Sequence, residues 1–93
     1  MGKYQVKISK SVAKELSLIK KSGRKADIEK LDIFFHEISI DPRSGTGKPE
    51  LLRHRNGEVW SRRLNKKDRF VYEIFENEIL VVLIQALGHY DDK

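Results

Sequence analysis

Cysteine is absent from the 93 residues. With it go disulfides, thiolate nucleophiles and cysteine-based zinc sites. The absence is compatible with a reducing compartment such as the cytoplasm. Long apolar runs are missing too. The longest, Ile79 to Ile84, is far short of the about 20 residues that cross a bilayer, so no membrane role is expected. Met1 to Lys10 hold no apolar stretch of the kind a secretory signal carries. The chain opens Met-Gly, but Val6 stands where a myristoylation signal needs Ser or Thr. No repeat, low-complexity tract or linker breaks the chain, so one domain over residues 1–93 is expected.

What is present is charge. Apolar residues make up 39% and charged residues 35%, a globular balance rather than a disordered one. The net charge is +5, from 19 Lys and Arg against 14 Asp and Glu. A basic surface on a small domain favours anionic partners: nucleic acid, an acidic protein or, less often, a lipid surface. Ordinary solubility charge gives the same number.

The elements follow from periodicity. Tyr4, Val6 and Ile8 alternate with polar residues, the pattern of a half-buried strand. Ser11 is positioned to cap a first helix, with Glu15 near its positive end. Val12, Leu16 and Ile19 share a face of that helix, and Gly23 stops it. A second helix is expected from about Lys25 to Ser39, with Ile28, Leu31, Phe35 and Ile38 on one face. Asp41-Pro42 ends it, because the residue before proline avoids helical geometry. Residues 41 to 58 lack periodicity and are punctuated by Gly45, Gly47, Pro49, Asn56 and Gly57. A loop this long is often functional. Three apolar runs follow: Val59 to Leu64, Arg69 to Phe75 and Ile79 to Leu87. Their short spacers predict an antiparallel meander. The last run is apolar on both faces and should lie inside the sheet. The expected fold is α+β, order β-α-α-β-β-β, with two N-terminal helices on one face of a small antiparallel sheet.

Several familiar motifs fail. Gly45-Thr46-Gly47-Lys48 resembles a phosphate loop, but Pro42 and Pro49 occupy positions that motif reserves for Gly and for Ser or Thr. His36, His54 and His89 lack metal-ligand spacing, so no metal is expected. No serine lies in a nucleophile elbow. What remains is a set of RNA-handling residue types in the C-terminal half. Glu50 lies in the glycine-proline loop and Arg53 and Arg55 follow it. Arg62 and Arg63 lie on the second strand, Arg69 opens the third, and His89-Tyr90 follows the last. Metal-free RNA cleavage needs a base for the 2′-hydroxyl, a cation for the phosphorane and an acid for the leaving 5′-oxygen. Glu, Arg and His supply these roles by type, and Tyr offers a stacking face. The same residues equally fit a loop carboxylate, a solvated sheet face and a fraying tail.

These residues also form a pattern. Gly47-Lys48-Pro49-Glu50-x-Leu52-Arg53-His54, then Gly57, Trp60-Ser61-Arg62-Arg63-Leu64, Asp68-Arg69-Phe70-Val71-Tyr72 and His89-Tyr90 resemble the Txe/YoeB toxins of the RelE-like superfamily. The resemblance is close over residues 42–90 and looser before them. It implies the toxin of a type II toxin–antitoxin pair: a cytoplasmic endoribonuclease that cuts messenger RNA in the ribosomal A site without a cofactor and is held inactive by an antitoxin protein. Position by position it implies Glu50 as general base, His89 as general acid, Arg69 as the phosphate-stabilising arginine and Tyr90 as a residue shaping the site. Arg53, Arg63 and the neighbouring Arg62 are implied on the substrate side. A homodimer or a toxin–antitoxin hetero-oligomer follows from the resemblance alone. The alternative is a basic RNA- or protein-binding module that has lost catalysis. Two departures stand out: Asp91-Asp92-Lys93 follow the His-Tyr pair, and Arg53 stands where the family commonly has lysine, which changes the hydrogen-bond geometry but keeps the charge.

Overall fold

Both helices form where the apolar spacing places them. The computed structural model describes residues 3–53 and 56–88, and in it β1 (Gln5–Ile8) leads into α1 (Lys10–Ser22) and α2 (Lys25–Ile40). Ser9, not Ser11, caps α1: its side chain accepts the Val12 N–H. Ser11 already lies within the first turn, where its hydroxyl cannot reach forward to cap. Gly23 ends the helix with φ 75°. α2 runs one residue past the expected Ser39 and buries Leu31, Phe34 and Ile38, with Asp27 buried in its first turn.

The remaining elements are β2 (Glu50–Leu51), β3 (Glu58–Arg63), β4 (Arg69–Phe75), a short 3-10 turn (Glu76–Glu78) and β5 (Leu80–Gln85). Two sequence expectations need correction. The irregular middle segment contains a strand, β2, so the order is β-α-α-β-β-β-β. The sheet is also mixed: its order is β1-β5-β4-β3-β2, and β1 lies parallel to β5. The two helices between β1 and the meander return the chain to the same end of the sheet, which a hairpin cannot do. The meander β3-β4-β5 is antiparallel as expected, with a register irregularity at Val71/Tyr72. β5 does lie inside the sheet, between β1 and β4.

The helices cover one face. Val12, Ile19, Phe34 and Ile38 from the helices meet Phe70, Tyr72, Ile74, Val81 and Leu83 from the sheet. Phe70 packs on Phe34 at 5.1 Å and edge-on to Phe35 at 5.4 Å between ring centroids. The other face is open. Among the described residues it carries a small satellite cluster of Leu52, Val59 and Val71. That cluster anchors the chain just after β2, helped by the Leu52 N–H on the Val59 carbonyl.

Candidate active site

Strand parity sorts the candidate residues. On β3, Trp60 and Arg62 point to the helices, and Val59, Ser61 and Arg63 point away. On β4, Phe70 and Tyr72 are core residues, so Arg69 and Val71 belong to the open face. Glu50 pairs with Ser61, and Arg63 with Arg69. Glu50, Arg63 and Arg69 therefore share the open face, from three adjacent strands. β2 and β4 lie two strands apart, about 10 Å backbone to backbone.

Glu50 is exposed on a two-residue strand. Both sides of that strand are tied down. After it comes the Leu52 anchor. Before it, the Gly47 carbonyl accepts the Arg63 N–H at 2.8 Å. Gly47 has φ 79°, and a Cβ there would meet the Phe34 ring at 2.6 Å. Lys48 follows with φ 52°, a conformation that costs a side-chain-bearing residue roughly 1–2 kcal/mol. Strain of this kind persists only where the surroundings impose it, and it clusters at functional sites.

Arg63 and Arg69 stand directly opposite each other. Like charges so placed repel, and an anion between them reverses the sign of the interaction. Arg63 is exposed. Arg69 is half-buried, and its Nη1 donates to the turn carbonyls of Asn65 and Asp68 at 2.9 and 3.2 Å. The turn thus fixes the guanidinium at one corner. Arg69 also donates its backbone N–H to the Gly88 carbonyl at 3.0 Å. Gly88 immediately precedes His89. His89 and Tyr90 lie outside the described residues, as do His54 and Arg55. Arg53 is exposed just beyond β2.

Arg62 does not join this group. It is fully buried on the helix side. Its guanidinium donates to Glu37 Oε1, the Ser44 and Thr46 carbonyls and the Tyr72 hydroxyl. Tyr72 in turn donates to the Pro42 carbonyl at 2.6 Å. The expected substrate contact at Arg62 is therefore replaced by a structural one: it staples residues 42–46 to α2 and β3. Burial pushes the Glu37 carboxyl up, but the Thr46 N–H and hydroxyl together with Arg62 outweigh it and hold the group below its ordinary 4.5. The alternation Trp60-Arg62-Leu64 was a readable signal for this inward orientation.

The model of the YoeB-like toxins of bacterial type II toxin–antitoxin systems matches residues 8–90. The chain belongs to this family. Toxin YoeB of Synechocystis is 34% identical over 55 residues, which are 59% of this chain and 64% of that one. The YoeB-like chain therefore spans less than two thirds of that curated relative. A YoeB/ParE toxin from Agrobacterium tumefaciens shares the fold with a TM-score of 0.81 at 26% identity, covering 92% of this chain and 99% of that one. The YoeB–YefM complex from Staphylococcus aureus contains a chain with a TM-score of 0.71 at 21% identity, covering 94% of this chain and 98% of that one, a likeness of fold. Among the described residues no helix of the YoeB-like chain is long and apolar enough to cross a membrane.

Proposed function

We propose that this chain is the toxin of a type II toxin–antitoxin pair and cuts messenger RNA using the RNA's own 2′-hydroxyl as nucleophile. The observation that supports this reading most is the register: Glu50, Arg63 and Arg69 share one solvent-facing side of the sheet. Glu50 takes the 2′-hydroxyl proton as the oxygen attacks phosphorus. Arg63 and Arg69 flank the phosphate and offset the charge that builds on the phosphorane. The bond to the 5′-oxygen breaks, and His89 supplies the proton that oxygen needs. The products are a 2′,3′-cyclic phosphate and a 5′-hydroxyl. No cofactor takes part. Tyr90 stacks on a base, and Arg53 adds positive charge beside the substrate backbone.

The substrate is messenger RNA in the ribosomal A site. The partner is an antitoxin with an acidic, partly disordered segment that folds onto the basic open face. The S. aureus fold relative, seen in a YoeB–YefM complex, supports that partner. The site of action is the cytoplasm. The test is expression of wild type and of Glu50→Ala, Arg69→Ala and His89→Ala, read as growth and protein synthesis. Wild type arrests growth and each variant relieves the arrest; three fully toxic variants end the reading. A 2′-deoxy substitution at the cut site separates cleavage from mere docking: it abolishes cutting by a nuclease and leaves binding nearly intact.

A further inference from the structure

The segment that hands the chain on to His89 is gripped from elsewhere in the fold. Glu15 Oε1, on α1, accepts the N–H groups of Ala86 and Leu87 at 2.8 and 2.9 Å. Asp68 Oδ1, in the β3–β4 turn, accepts the Gly88 N–H at 2.9 Å. The Gly88 carbonyl accepts the Arg69 N–H. Successive amides beyond the end of β5 therefore terminate on two carboxylates. The last carbonyl is tied to the backbone of the arginine assigned to the phosphate. Asp68 is itself held: it is 3% exposed, and its other oxygen accepts from Asn65 Nδ2, which also donates to Asp27 on α2.

Segments past the last strand fray unless tied down. Ala86 is buried and Leu87 packs against the core, so their amides need a protein acceptor rather than water. Carboxylates are needed where the amides must stay in one place, because charge-assisted bonds are short and directional. Gly88 suits the grip, since its φ of 90° is one that side-chain-bearing residues rarely adopt.

We propose that Asp68 and Glu15 are positioning residues that hold the 86–88 backbone so that the proton supplied by His89 arrives at the leaving 5′-oxygen while Arg69 is on the phosphate. The inference rests on the RNA-cleavage reading above. Neither carboxylate touches the RNA. Their contribution is to the geometry of the acid, and geometric errors of about 1 Å cost up to roughly a hundredfold in rate.

The experiment is single-turnover cleavage of an RNA with one scissile linkage by wild type, Asp68→Ala, Asp68→Asn, Glu15→Ala and His89→Ala. Each is first checked for cooperative thermal unfolding. A second RNA carries sulfur in place of the leaving 5′-oxygen. Sulfur departs as a thiolate and needs no proton. On the oxygen substrate, Asp68→Ala and Glu15→Ala lower the saturating rate about 10–100-fold, with half-saturation within about twofold of wild type. Asp68→Asn keeps one accepting oxygen and recovers part of the loss. On the sulfur substrate these variants, and His89→Ala, approach wild type. Equal losses on both substrates, or folded variants at the wild-type rate on oxygen, overturn the inference while leaving the nuclease reading intact. If Asp68→Ala does not fold, Asp68→Asn and Glu15→Ala carry the same comparison. Both RNAs are presented in the ribosomal A site, and a wild-type chain that cuts neither there removes the nuclease reading and this inference with it.

Discussion

Arg62 and Arg63 are neighbours of one residue type with opposite fates. Arg62 enters the helix-covered side of the sheet, fully buried, and spends its donors on Glu37, Tyr72 and two loop carbonyls. Arg63 faces solvent opposite Arg69. One stabilises the loop that leads to Glu50; the other belongs to the surface where Glu50 ends up. The covered face of this sheet is therefore the scaffold and the open face the candidate site. The division is made residue by residue along a single strand.

The largest expected break in that contrast is Arg62→Ala. It takes one charged donor from a carboxylate, two carbonyls and a phenol at once, which costs about 3–5 kcal/mol. For a domain of this size the thermal midpoint should fall by more than about 10 °C. A midpoint within about 2 °C of wild type would show that the Arg62 cluster is ornamental rather than structural. Gly47→Ala comes next. The methyl would meet Phe34 at 2.6 Å on a backbone with φ 79°, so about 1–3 kcal/mol should be lost. Urea unfolding measures it as a lower midpoint at unchanged slope.

Acid should weaken the covered side further. Glu37 and Asp68 both sit below their ordinary values of 4.5 and 3.8, because hydrogen bonds to the charged forms outweigh burial. A carboxyl depressed in the folded state contributes stability that is present above its unfolded value and is lost as pH falls through the folded one. The thermal midpoint should thus decline from about pH 5 toward pH 3. Glu37→Gln should flatten part of that decline; an unchanged slope would remove Glu37 from the account. The smallest effect on stability belongs to Arg63→Ala, within about 0.5 kcal/mol, as for an exposed residue. The same variant should weaken RNA binding and make it less sensitive to salt. Filter binding at two salt concentrations is the check, and an unaltered salt slope would take Arg63 off the RNA.

The site was legible to different degrees. Glu50, Arg63 and Arg69 could be picked out by type and motif, but their sharing of a face depended on β2, a two-residue strand that no period-two pattern announces in a run broken by Pro49. Arg62 was visible as a charge and misplaced as a surface residue, although its parity with Trp60 and Leu64 already put it on the apolar side. Asp68 read only as part of the Asp68-Arg69-Phe70-Val71-Tyr72 pattern, with no role of its own, and Glu15 only as a helix-dipole charge. Their partners are 20 and more than 70 residues away, beyond what local spacing can report.

Composition and periodicity by themselves determined the two helices, the meander, the interior place of β5 and the absence of disulfides, because these follow from local spacing of apolar residues and from residue type. Tertiary structure alone decided that β1 runs parallel to β5 and which carboxylates hold the chain at residues 86–88. Hydrogen bonds between distant segments depend on where the backbone folds back, and that is settled only when the whole core has packed.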